Sequence, residues 1–118
     1  VRVNEALDLI SRELKRAETK HPAWPEGRLR QAAIVAEEAG EVLRAALNIV
    51  EFEEKIVGEI ERYRDSKFDI TLDYNCLERM EEELIAEVVQ TGAMAMRFLL
   101  NYRPLYAKVQ GAQAKPEA

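Results

Sequence analysis

AAIVAEEAGEVLRAAL, residues 32–47, reads as a helix built for burial, yet it carries Glu37, Glu38 and Glu41 in its middle and no basic residue before Arg44. The helical period extends this segment to about 29–49. Its apolar positions Ala36, Ala39, Val42, Leu43, Ala46, Leu47 and Ile49 cover about half the circumference at roughly 100° per residue. One neighbour needs only a stripe, so this width predicts packing against more than one partner helix. The alanines and Gly40 are expected to let those partners approach closely.

The flanking segments are read in the same way. Val3, Ala6, Leu7, Ile10, Leu14 and Ala17 recur at helical spacing and predict an amphipathic helix over 3–19. HPAWPEG, residues 21–27, breaks it with two prolines and a glycine. EFEEKIVGEIERY predicts a third helix over 51–63, its buried side marked by Phe52, Ile56, Ile60 and Tyr63. Residues 64–75 have no sustained period and read as a loop or insertion. Residues 77–102 predict a long helix that Pro104 should stop. The expected architecture is all-α, an antiparallel helical bundle of about four helices completed by oligomerisation, because a short chain buries limited surface alone. The domain is placed at 1–108, and 109–118 at a polar C-terminal tail.

Composition narrows the partners. The chain has 118 residues and a net charge of −5, which disfavours direct contact with a nucleic-acid polymer or an anionic membrane. Cys76 is the single cysteine, so neither an internal disulfide nor a cysteine-based zinc site is expected. No apolar run is long enough for a membrane span, and a cytoplasmic location is the expectation.

Glu38 and Glu41 are three apart and share one flank of their helix, Glu37 lies further round, and Asn48 returns to the Glu41 flank two turns on. Two readings fit the acids. They form a solvated face near a helix start, where Glu suits the dipole. Or they hold Mg²⁺ or Mn²⁺, hard cations that take carboxylate oxygens and remove the repulsion between like charges. The helix over 77–102 bears on this choice. Ile85, Val88, Val89, Gly92, Met96, Leu99 and Leu100 form one apolar face, while Leu84, Met94 and Phe98 make the opposite side apolar too. Glu87 falls on that second side near Gln90, and a carboxylate enclosed there needs a partner or a metal. Arg97 continues the strip, as an ion-pair partner, a phosphate contact or a surface residue near the helix end.

Together these residues resemble the MazG-like family of all-α nucleoside triphosphate pyrophosphohydrolases, in particular its phage and bacterial members. The first family motif is two glutamates, two residues and a third glutamate, matched by EEAGE (Glu37, Glu38, Glu41). The second, Glu, two residues and Asp, is matched by EVVQ, with Glu87 in place and Gln90 a neutral departure. KHPAWP, RAALN and GAMAMRFL are also similar to such sequences, and the resemblance spans roughly residues 18–101.

The resemblance implies Mg²⁺-dependent hydrolysis of a (d)NTP between the α and β phosphates, giving (d)NMP and pyrophosphate, with dGTP or dATP the expected purine substrates. It implies metal ligation by Glu37, Glu38, Glu41 and Glu87, with Mn²⁺ able to replace Mg²⁺, and Glu37 or Glu38 as general base. Gln90, Arg97, Asn48, Lys20, His21 and Trp24 become substrate contacts. Trp24 would stack on a base, or else plug the end of the bundle. A homodimer or homotetramer is implied, in the cytoplasm of a bacterium or of a phage's host cell. Two other functions stay open: a dUTPase-like or modified-nucleotide diphosphatase, and a non-catalytic helical interaction module.

Overall fold

A computed structural model of the protein describes residues 1–62 and 70–104, and the side chains of all of these but 70–73. It consists of three helices, α1 (Val3–Lys20), α2 (Arg28–Arg62) and α3 (Ile70–Asn101), with no strand among the described residues. The all-α expectation holds, with three helices among the described residues.

α1 stops where the sequence requires. Pro22 disfavours helical backbone at the residue before it, and His21 adopts φ −131° and ψ 78°, its N–H closing the last turn on the Ala17 carbonyl at 2.8 Å. The second half of the predicted stripe is the better covered: Leu14 and Ala17 are buried and Ile10 and Ala6 half-buried, while Val3 and Leu7 are exposed. The chain then turns through Pro22, Pro25 and Gly27 into α2. Gln31, buried in the second turn of α2, donates its amide to the carbonyls of Pro25 (2.6 Å) and Glu26 (3.2 Å). The helix thus grips the loop from which it emerges.

The separate helix expected over 51–63 does not form. α2 runs unbroken through Val50 and Glu51 to Arg62, about 50 Å at 1.5 Å per residue. The reason is in the seam: buried Ile49 is followed at i+3 and i+7 by half-buried Phe52 and Ile56, so the inward stripe never loses phase. Neither proline nor glycine stands near residue 50, and the intervening acids face water. Gly58 is absorbed at the modest cost of a glycine in an exposed helix. α3 likewise begins at Ile70, so 70–75 of the expected loop is helical, while 64–69 and the expected tail 109–118 lie outside the described residues.

α3 is the common partner, packing against both α1 and α2. α2 and α3 run in opposite directions: the Arg28 guanidinium at the start of α2 donates to the Arg103 carbonyl just past α3 (2.8 Å), and Glu41 meets Glu87 further along. The core lies where all three helices contribute. Ala93, fully buried, and Met94 sit with Leu14 and Ala17, and Ile10, Trp24, Ile34, Val35 and Met96 close around them. The close approach occurs at Gly92, where a Cβ would stand 3.0 Å from Ile10 Cδ1. Gly40, expected to serve that purpose, does not: a Cβ there would meet nothing within 4 Å. Further along α2, Leu43, Leu47, Val50 and Val57 are each about half exposed or more.

Candidate functional site

The α2 and α3 contact brings three of the predicted acids together. Glu38 and Glu41, one turn apart on α2, face Glu87 of α3, and one carboxylate oxygen from each lies within 4.8 Å of the others. Glu38 and Glu87 are half-buried and Glu41 is exposed. Glu37 is not part of the group. Consecutive helical residues diverge by about 100°, so Glu37 and Glu38 cannot both face α3, and Glu37 points to solvent.

The electrostatics are unresolved within the chain. Oε2 of Glu38 and Oε2 of Glu87 are buried without a hydrogen-bond partner. Among the described residues no Lys or Arg is ion-paired to any of the three; the ion pairs present, Arg12 with Asp8 and Arg16 with Glu13, both lie within α1. Burial pushes the Glu38 carboxyl above its usual range, and the charges of Glu41, Glu87, Glu37 and Glu13 push it further. Glu87 is also raised, first by burial, then by the hydrogen bond and charge of Glu41 and the charge of Glu83. Like charges held together in partial burial favour a shared proton or a cation. Carboxylates converging from two helices, two of them with a buried oxygen lacking a partner, could hold a hard divalent ion such as Mg²⁺ or Mn²⁺.

Beside Glu38 opens a cavity of about 310 Å³, into which the sequence-predicted Lys20, His21, Trp24, Gln90 and Arg97 converge. Arg97 is neither at the surface nor paired with an acid. It is 5% exposed, its Nη2 donates to the His21 carbonyl at 2.7 Å, and its guanidinium lies 5.0 Å from the centroid of the Trp24 ring. It ties α3 to the end of α1 and holds Trp24 by a cation–π contact. Trp24 is at once part of the core and part of the cavity wall, and its buried Nε1 has no acceptor. Asn48 stays apart, exposed on α2 almost two turns beyond Glu41.

Two residues at the site escaped the sequence reading. Arg16 lines the cavity with Glu38, and Glu13, bonded to Arg16, lies close enough to Glu38 to raise its pKa. Their signal was the recurrence of Arg12, Arg16 and Lys20 every four residues along α1, beside its apolar stripe. Comparison of the chain with protein-family models, curated proteins and solved structures gave no match.

Proposed function

We propose that this chain is a Mg²⁺-dependent nucleoside triphosphate pyrophosphohydrolase, cleaving a (d)NTP between the α and β phosphates to (d)NMP and pyrophosphate. The observation that carries the reading is the convergence of Glu38, Glu41 and Glu87 from two helices, with two buried oxygens lacking any partner. Glu38, Glu41 and Glu87 hold the metal. Mg²⁺ bound there supplies neutralisation of the triphosphate and a lowered pKa for a coordinated water. Glu38, which belongs to the cluster and also borders the cavity, is placed to accept the proton of an attacking water. Glu37, turned to solvent, has no part in this scheme. Trp24 offers an aromatic face to a base and Gln90 an amide edge that can donate or accept. Lys20 supplies charge for phosphate. The motif resemblance to MazG-like enzymes supports the same reaction.

The test is incubation of pure protein with each (d)NTP and Mg²⁺, resolving nucleotide products. The expected products are monophosphate and pyrophosphate. Absence of turnover across the panel, or release of diphosphate and orthophosphate, would refute the reading. Preferential turnover of dUTP or a modified nucleotide would assign the diphosphatase alternative instead of purine use. Glu38→Gln and Glu41→Gln should each abolish turnover while keeping the helical circular dichroism of the parent.

Leu43, Leu47, Val50 and Val57, exposed along α2 at intervals of four, three and seven residues, support self-association as a homodimer or homotetramer. The same surface favours the non-catalytic alternative, a helical interaction module. Calorimetric titration with Mg²⁺ separates the two, since the module has no saturable metal site.

A further inference from the structure

We propose that Arg16 binds the distal phosphates of the substrate and that Glu13 positions its guanidinium for that task. The inference rests on the pyrophosphohydrolase reading and extends it to residues that neither the acidic motifs nor the Trp24 loop contain.

α1 carries two acid–arginine pairs that look alike in sequence and differ in setting. Asp8 and Arg12 are both well exposed and reach no part of the cavity beside Glu38. Arg16 and Glu13 stand one turn on. The Glu13 side chain is only 18% exposed, and Arg16 lines that cavity. The Arg16 pair is also the better made one. Nε donates to Glu13 Oε2 at 2.8 Å and Nη2 to Oε1 at 2.5 Å, a two-point grip that fixes the plane of the guanidinium. That grip holds the Glu13 carboxyl below its usual range against the opposing effect of burial.

A guanidinium has five N–H donors, and Glu13 takes one from Nε and one from Nη2. Three remain, and the planar fork suits them to phosphate oxygens. The rest of the cavity assigns the direction. Arg97 has committed its charge to the His21 carbonyl and the Trp24 ring. Arg16 and Lys20 are then the cations left on the α1 side of the cavity, whose acid is Glu38 of α2. A triphosphate whose base lies toward Trp24 and whose reacting phosphates lie toward Glu38 leaves its remaining charge for the α1 wall. The orientation that Glu13 imposes lowers the ordering cost of that contact, because less side-chain freedom is left to lose on binding.

The test uses the whole chain and inorganic tripolyphosphate as probe, titrated calorimetrically with and without Mg²⁺, alongside steady-state kinetics on the preferred nucleotide. Arg16→Ala should weaken tripolyphosphate binding and raise KM by about tenfold or more, the scale of a lost charge-assisted contact. Mg²⁺ affinity measured alone should not change. Arg16→Lys should recover part of the loss, and Glu13→Gln should raise KM with Arg16 still present. Arg12→Ala is the control, expected within about twofold of the parent, the ordinary range of a screened surface charge. Equal effects of Arg16→Ala and Arg12→Ala, or no tripolyphosphate binding by the parent, would overturn the assignment. The enzymatic reading fails separately, by absent turnover and no saturable Mg²⁺ site, while metal-free tripolyphosphate binding still reports on Arg16.

Discussion

Glu87→Gln should stabilise the metal-free protein at pH 8 and remove its response to Mg²⁺. Glu38 and Glu87 both have carboxyls raised above the ordinary range. A carboxyl whose folded pKa exceeds its unfolded value holds its proton more tightly in the native state. Native stability therefore falls as pH rises from the ordinary carboxylate range through the folded pKa, and stays lower beyond it. Two ionised carboxylates at the 4.8 Å limit of the cluster repel by about 3.5 kcal/mol at an effective dielectric near 20. Glu41 is open to water, so roughly half of that, about 1–2 kcal/mol, should survive screening. Glutamine keeps the shape of Glu87, loses the charge and can donate to Glu41, permanently imitating the protonated acid. Urea denaturation followed by circular dichroism at pH 5 and pH 8 measures the effect. The variant should lie about 1–2 kcal/mol above the parent at pH 8 without metal, and the difference should narrow as pH falls toward the ordinary carboxylate range. With Mg²⁺ at a hundred times its dissociation constant, the parent should gain about 2.7 kcal/mol and the variant far less. A variant less stable than the parent at pH 8 without metal would refute the reasoning, since it would mean that the Glu87 charge makes favourable contacts rather than enduring repulsion.

Gly40→Ala should stabilise by about 0.5–1 kcal/mol with Mg²⁺ affinity unchanged, as measured by denaturation and calorimetry, because the position is helical and an added methyl meets nothing within 4 Å. Gly92→Val should cost about 1–3 kcal/mol, because its Cβ would stand 3.0 Å from Ile10 Cδ1, and a second change of Ile10 to Ala should return part of the loss in a double-mutant cycle. Arg97→Met should cost about 2–3 kcal/mol in the same denaturation assay, since it removes the donor to the His21 carbonyl and the cation over Trp24 while keeping much of the buried volume.

What could be read from the sequence followed from local periodicity. The limits of α1 and the start of α2 needed only the apolar stripe and the prolines of HPAWPEG, because a helix end is a local event. The continuity of α2 was not read from the sequence, although Ile49, Phe52 and Ile56 keep the stripe in phase. Glu38 and Glu41 were legible because spacing fixes which acids share a flank; the enclosure expected of α3 holds only in part, since Glu87 is half-buried while Ile85, Val88, Leu99 and Leu100 of its predicted apolar face are exposed. Which of the adjacent pair Glu37 and Glu38 faces inward depends on the rotation of α2 about its axis, and only contact with α3 sets that. The closest packing was misassigned for a related reason. Gly40 and Gly92 are both glycines in apolar helices, and only the path of α1 across α3 makes one of them necessary. Arg16 was invisible for the same cause, since its value lies in what faces it from the other two helices.

Where the acids sit in relation to the core bears on why their repulsion persists. Exposed like charges relax by turning their side chains apart, and then nothing is stored. Here Glu87 stands about one and a half turns before Gly92 and Ala93, where α1 clamps α3 and a residue is fully buried. Glu38 follows Ile34 and Val35, which pack on the same cluster from α2. The two backbones that carry the opposing acids are therefore fixed by the best-packed part of the molecule, and the short reach of a glutamate leaves little room for escape once Oε2 of each is enclosed. On the far side of the acids the outer apolar residues of α2, Leu43, Leu47, Val50 and Val57, lie open to solvent. The carboxylates are thus held firmly enough to keep their conflict and openly enough, through Glu41 and the cavity at Glu38, for a cation to reach them. Loosening the clamp should then act on the acids without touching one. If Gly92→Val frees α1 from α3, the Glu38 and Glu87 carboxyls, followed by side-chain carbon-13 shifts against pH, should fall back toward the ordinary range. Unchanged titration in a variant shown to be loosened would mean that α2 and α3 hold the acids together by themselves.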